Sequence, residues 1–305
     1  MSERFFKLGT RGSPLARWQA EWVAARLGDV HVDVELVLIT TKGDVKAGPL
    51  GQIGGEGLFT KEIQRALLER EIDFAVHSLK DLPTTPVEGL TLAAVPPREE
   101  NSDVLVSKLA KSVAELPPNA RIGTGSLRRK SQLLHQRPDL QVLEIRGNVE
   151  TRLRKLDDGE YDAIVLAEAG LKRLGLADRI TAVLPRDAML PAVGQGALGI
   201  EARADDKHTL AALKQIDDDA THQAVVAERT LLATLRAGCL APVGAWARTI
   251  GGELVLEAVV VAPDGSQRIA VRDAAPPTDA AALGKRAAEQ LLAQGAEAII
   301  RSAHA

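Results

Sequence analysis

RIGTGSLRRKSQLLHQRPDLQVLEIRGNVETRLRKLDDGEYDAIVLA, Arg121 to Ala167, decides the fold. Short apolar runs (RIGT, LQVLEI, DAIVLA) alternate with stretches whose apolar residues return every three or four positions (GSLRRKSQLLHQ, NVETRLRKL). Strand and helix in strict alternation predict βαβ units and a parallel sheet. The same rhythm occupies the N-terminal part. FFKLG reads as a strand, and TRGSPLARWQAEWVAARL as a helix with Ser13 at the N-cap, Pro14 in its first turn and a face of Leu15, Trp18, Trp22 and Ala25. VDVELVLITT is a second strand, LFTKEIQRALLER a helix burying Phe59, Ile63, Ala66 and Leu67, and IDFAVHS a third strand.

Further along, LPAVGQGALGIEAR reads as a return into the first block, which is therefore discontinuous. From about Asp218 the pattern changes. A helix leads to Cys239, and strands separated by Gly251-Gly252 and Pro263-Asp264-Gly265 carry hairpin signals before a last helix. The expected division is residues 1–96 with 194–216, residues 97–193, and a small α+β domain, 217–305, with a three-stranded antiparallel sheet. A chain of 305 residues is long enough for several cores.

Composition is that of an ordinary globular protein: 45% hydrophobic, 26% charged and a net charge of −3. Such a balance gives no general attraction to nucleic acid, and 3% aromatic residues offer few platforms for base stacking. The single cysteine excludes an intrachain disulfide and a thiolate metal site, and six histidines without ligand spacing point to no metal. The opening MSERFFKLGTRGS lacks a secretory apolar core, so the expected location is cytoplasmic.

Basic residues collect where strands turn into helices, the edge at which doubly wound sheets bind ligands. Arg11 follows KLGT, Lys80 follows IDFAVHS, Arg128 and Arg129 follow IGTGS, Arg146 follows VLEI with Arg152 a turn later, and Arg173 follows DAIVLA. Guanidinium groups pair with carboxylates and phosphates, so the ligand should carry several negative charges. One acid, Asp81, stands among these cations and suits positive charge developing in a reaction. The glycine-rich KGDVKAGPLGQIGGEGLF reads as a binding lid or a plain surface loop.

Taken together, TRGSPLARWQA, GLFTKEIQRALLE, DFAVHSLKDLP, GTGSLRR, IRGNVETRLRKLDDGEYDAIVLAEAGLKRLG, LPAVGQGALGIE and GCLAPVGA resemble the hydroxymethylbilane synthase (porphobilinogen deaminase) family in order and spacing, nearly end to end. The resemblance implies two doubly wound, periplasmic-binding-protein-like domains plus the small third one. It implies a transferase of tetrapyrrole biosynthesis, condensing four porphobilinogen molecules head to tail with loss of ammonia. It also implies a covalent dipyrromethane cofactor in thioether linkage to Cys239. Ser78, Lys80, Thr124, Ser126, Arg128, Arg129 and Arg146 would bind that cofactor. Arg11, Ser13, Arg152 and Arg173 would bind substrate carboxylates, and Asp81 would be catalytic, facing the cation left when ammonia departs. Porphobilinogen is the implied partner, with no nucleic acid and no membrane, and the implied state is a monomer. The chain departs from common family patterns at Glu56, Gly125, Ala237 and Leu240; the reading predicts a lost donor at Gly125 and positive-φ strain at Ala237. A two-domain solute-binding protein is the alternative that shares such an architecture.

Overall fold

A computed structural model describes residues 5–41, 60–238 and 241–303. In chain order its elements are β1 (Phe6–Thr10), α1 (Pro14–Gly28), β2 (Val34–Leu38), α2 (Lys61–Leu68), β3 (Phe74–Ser78), β4 (Leu90–Ala94), β5 (Asp103–Ser107), β6 (Arg121–Gly123), α3 (Leu127–Gln136), β7 (Gln141–Leu143), α4 (Val149–Asp157), β8 (Ala163–Ala167) and α5 (Glu168–Arg173). There follow β9 (Ala182–Val183), β10 (Leu198–Arg203), α6 (Lys207–Leu213), α7 (Asp219–Thr234), β11 (Val243–Ile250), β12 (Glu253–Val261), β13 (Arg268–Ala275), α8 (Ala280–Ala293) and α9 (Ala296–Ser302). Two compact units result, Met1–Arg98 with Ala197–His222, and Glu99–Gly196 with Gln223–Ala305. No described helix is long and apolar enough to cross a membrane.

The first unit holds the sheet β2-β1-β3-β10-β4, and the second holds β7-β6-β8-β5-β9. In each, three adjacent strands pair in parallel, as the alternation predicts, the fourth in sheet order runs against both neighbours, and the fifth runs with the first three. The reversed strands β10 and β5 are those through which the chain enters from the other unit. They arrive without the crossover helix that a parallel connection requires. Short apolar strands fill both cores, with Leu8, Phe74 and Ile200 in one and Leu105, Ile122 and Val165 in the other.

Ser13 caps α1, its hydroxyl accepting from Ala16 N–H at 3.4 Å, with Pro14 next, as expected. The buried face differs: it is Gln19, Ala20, Val23 and Leu27, whereas Trp18 and Trp22 lie half-buried at its flank and Ala25 is exposed. Small Ala20 lets the helix approach the sheet more closely than an indole would. In α2, Ile63, Ala66 and Leu67 are buried as predicted, and Phe59 lies outside the described residues.

In the second unit β11, β12 and β13 form an antiparallel sheet joined by Gly251-Gly252, both at positive φ, as an Asn-Gly-like two-residue turn demands. Helix α8 covers it, and α9, which the sequence reading passed over, extends the same core through Ile299 and Ile300. His135 Nδ1–H donates to Gly265 O at 2.8 Å, and Ala245 N–H to Pro191 O at 2.9 Å, tying the small sheet to the larger one.

The turn after α7 corrects the strain expectation. The left-handed position falls on Arg236 (φ 50°), not on Ala237. Ala237 N–H reaches Leu232 O at 3.2 Å, closing a Schellman-type cap in which glycine is the usual occupant of position 236. Substitution Arg236→Gly is expected to be neutral to stabilising, by up to about 1 kcal/mol, in urea unfolding. By contrast, a Cβ at Gly284 of α8 would lie 2.2 Å from Ala227 O and 3.0 Å from Leu231 N, both backbone atoms of α7. Gly284→Ala is expected to cost about 2–3 kcal/mol in the same assay, because neither helix can yield without moving its main chain.

Candidate functional site

Strand order brings the predicted residues to one edge within each unit. In the first, β1 and β3 are adjacent and parallel, in register at Leu8–Phe74 and Gly9–Ala75, so their carboxyl ends lie side by side. Arg11 and Ser13 follow β1. Ser78 ends β3, and Leu79–Asp81 continues directly as a 3-10 turn presenting half-buried Lys80 and exposed Asp81. The side chain of Ser78 is fixed from behind, exchanging hydrogen bonds with the amide of Gln19 at 2.8 and 3.1 Å. That bond explains why a glutamine occupies the buried face of α1.

In the second unit β6 lies between parallel β7 and β8, and the loops after all three carry the predicted cations. Thr124 Oγ1 accepts from Ser126 N–H at 3.2 Å, and Ser126 caps α3, accepting from Arg129 N–H at 3.5 Å. Gly125 has a steric reason: a Cβ there would meet Ile145 O at 3.0 Å, so the loop passes too close for a side chain without adjustment. Arg146 pairs with Glu144, and Arg152 Nε–H donates to Gly147 O at 2.8 Å. Arg173 is 8% exposed and donates through Nη2 to Gly196 O at 2.7 Å. Burial lowers its pKa to about 10, against an opposing pull from Glu99.

Arg128 and Arg129 are buried, and both grip Asp103, which is fully buried at the start of β5. Arg128 Nη1 lies 2.6 Å from Oδ2, and Arg129 reaches Oδ1 through Nη2 at 2.7 Å and Nε at 2.9 Å. The amide of Gln195 donates to the same Oδ1 at 3.0 Å. Burial alone would raise the carboxyl's pKa, but the two guanidinium charges outweigh it and hold Asp103 far below the usual carboxylate range. Two cations share one anion, and Arg128 Nε is buried without a hydrogen-bond partner among the described residues. The cluster retains one net positive charge, which favours an anion nearby.

A family model described as porphobilinogen deaminase, dipyromethane cofactor binding domain, matches residues 6–211, and one described as the C-terminal domain matches 222–293. The chain belongs to the porphobilinogen deaminase family. It is 50% identical over 299 residues to the porphobilinogen deaminase of Chlorobaculum tepidum and 52% identical over 296 residues to that of Desulforudis audaxviator, covering 96% of each chain in both cases. Among solved structures it aligns with the methionine-binding protein MetQ (17% identity, 75% of this chain and 94% of that one, TM-score 0.44). It also aligns with a periplasmic substrate-binding protein of an ABC transporter from Coxiella burnetii (14% identity, 70% and 91%, TM-score 0.44).

For a porphobilinogen deaminase, Cys239 is the residue of greatest interest; with Leu240, and with Glu56 in the glycine-rich segment, it lies outside the described residues. The elements before and after it in the chain are described. Glu228 of α7, fully buried, accepts from Gly194 N–H at 2.7 Å and Ala247 N–H at 2.9 Å, linking the helix before the cysteine to the strand after it. Asp103, Gln195, Glu228 and Gln19 escaped the sequence reading. Gln195 stands within LPAVGQGALGIE, a quoted motif, and was legible there. Asp103 opens a strand in SDVLV and carries no local signal, because its partners lie 25, 26 and 92 residues away.

Asp103→Asn leaves two guanidinium groups without their anion and is expected to cost about 3–5 kcal/mol at neutral pH. Since the folded-state pKa is depressed, the wild-type contribution is complete above the unfolded carboxyl's pKa of about 4 and falls away as pH drops below it. Unfolding free energy measured from pH 7 to pH 3 should therefore decline more steeply for wild type than for the variant.

Proposed function

We propose that this hydroxymethylbilane synthase works with Asp81 as its catalytic carboxylate and holds its pyrrole chain by the cations at the strand ends described above. The observation that carries the reading is the arginine pair on a single carboxylate, which leaves one positive charge uncompensated. Each pyrrole ring of porphobilinogen bears an acetate and a propionate, so a growing chain accumulates carboxylates as it lengthens. A site for it needs more guanidinium groups than the protein's own acids can neutralise.

The residues fit a dipyrromethane. Cys239 would hold it through the thioether, while Arg128, Arg129, Arg146 and Lys80 would meet its carboxylates and Ser78, Thr124 and Ser126 would supply hydroxyl contacts. When bound, that group supplies the covalent anchor from which the pyrrole chain grows. Arg11, Ser13, Arg152 and Arg173 would bind the incoming substrate. Loss of ammonia leaves the substrate methylene cationic, and the Asp81 carboxylate stabilises that charge and accepts hydrogen bonds from pyrrole N–H groups. Lys80, next to it in the turn, would supply a cation for ring carboxylates and so offset their repulsion with Asp81. The three-part division fits the same scheme, with 217–305 carrying the cysteine, 1–96 with 194–216 carrying Asp81, and 97–193 carrying most of the arginines. A cytoplasmic monomer completes the reading.

Asp81→Ala is expected to lower kcat more than 100-fold, about 3 kcal/mol in barrier, while intact mass still shows the dipyrromethane increment. Cys239→Ala is expected to show the bare polypeptide mass and no turnover. Normal turnover by Asp81→Ala, or a bare mass for the unaltered protein, would count against the assignment; the second result would favour a solute-binding role.

A further inference from the structure

The first unit contains a buried polar group that the chemistry above does not use. His77 of β3 and Glu201 of β10 are 6% and 5% exposed, with Nε2 and Oε2 3.2 Å apart. The contact lies off the axis of a hydrogen bond, and Nε2 has no hydrogen-bond partner among the described residues. Glu201 also receives Gln64 of α2, whose amide donates to Oε1 at 3.0 Å and to Oε2 at 3.2 Å. A carboxylate is expensive to bury, and an apolar trio would pack here at lower cost. The group also sits at a particular place: His77 is three residues from Lys80 and four from Asp81.

From this placement we infer that His77 and Glu201 are positioning residues for the Lys80–Asp81 turn. The inference rests on the role given to Asp81 above. Strand β3 passes into the turn without a linker, and the β3–β10 ladder extends into it. Gly199 pairs with His77, Leu198 with Ser78, and Leu79 N–H donates to Ala197 O at 3.0 Å. Gly199 leaves a slot on the face shared with Glu201. A Cβ there would lie 2.6 Å from Leu79 Cδ1 and 3.1 Å from Leu92 Cδ1, so Leu79 is seated directly over that glycine. The turn is thus fixed by Leu79 in the slot and by the imidazole–carboxylate contact one step back along the same face. Gln64 extends the grip to α2.

Such a device has a distinct kinetic signature. Carboxylate-binding arginines act on bound substrate and transition state alike, whereas Asp81 acts on charge that appears only during reaction. A small displacement of Asp81 therefore lowers kcat and leaves KM nearly unchanged. Residues that act as one unit also give non-additive losses.

The test uses the cofactor-loaded full chain, checked by intact mass, with kcat, KM and Tm measured for His77→Gln, Glu201→Gln, the double variant, Gly199→Ala and Asp81→Ala. Each single change at 77 and 201 is expected to lower kcat about tenfold with KM within twofold of wild type, and the double variant to be no worse than the poorer single. Gly199→Ala alters no charge and meets only the movable ends of two leucines. It is expected to fold normally and to lose kcat several-fold, and it decides the matter alone should the buried variants not fold. Wild-type kcat in Gly199→Ala and Glu201→Gln beside an inactive Asp81→Ala would overturn this inference and leave the role of Asp81 standing. Additive losses, or KM and Tm worsening together with kcat, would show a merely structural group. An active Asp81→Ala would remove both readings.

Discussion

One carboxylate held by two guanidinium groups organises the second unit. Asp103 is wholly buried, yet it stays charged because Arg128, Arg129 and the Gln195 amide converge on it. The arginines come from the first turn of α3, the acid from the start of β5, and the amide from the segment returning toward the first unit. Since a buried ion is tolerable only when every partner is in place, the loop after β6, the reversed strand and the crossing segment must be correct together. The same arithmetic of charge leaves the cluster cationic. Structural order and surplus positive charge thus come from one interaction.

The first unit uses neutral and weaker contacts toward the same end. Ser78 is held by Gln19 from α1, and Leu79 is seated over Gly199. Asp81 itself stays exposed at the end of a strand, where its surroundings can be supplied by a ligand. A rigid scaffold presenting an accessible acid suits the role proposed for Asp81, meeting charge that appears only during reaction.

The sequence was most readable where the physics is local. Ser13-Pro14, Ser126 and the Gly251-Gly252 turn act through neighbours within a few residues, and each is found in its expected place. Helical periodicity located α1 but misjudged its face, because the bulk of Trp18 and Trp22 suggested a core that Ala20, Val23 and Leu27 occupy. The two reversed strands were hidden by a rhythm that elsewhere means parallel pairing. The arginines proposed for the site stand at strand ends where the sequence shows them, whereas Asp103, Glu201 and Glu228 draw their meaning from partners 19 to 137 residues away. Such pairings leave no pattern in a short window.

The place of β10 bears on how the chain comes off the ribosome. It lies between β3 and β4, yet it is translated about a hundred residues after them. Until then both strands expose unsatisfied backbone edges, while the intervening segment, already complete through β9, can collapse on its own. Synthesis therefore completes the five-stranded sheet of residues 103–183 before the sheet that leads to Asp81 can close around β10, and the small antiparallel sheet follows last. A nascent polypeptide with two open sheet borders is a natural client for holding chaperones.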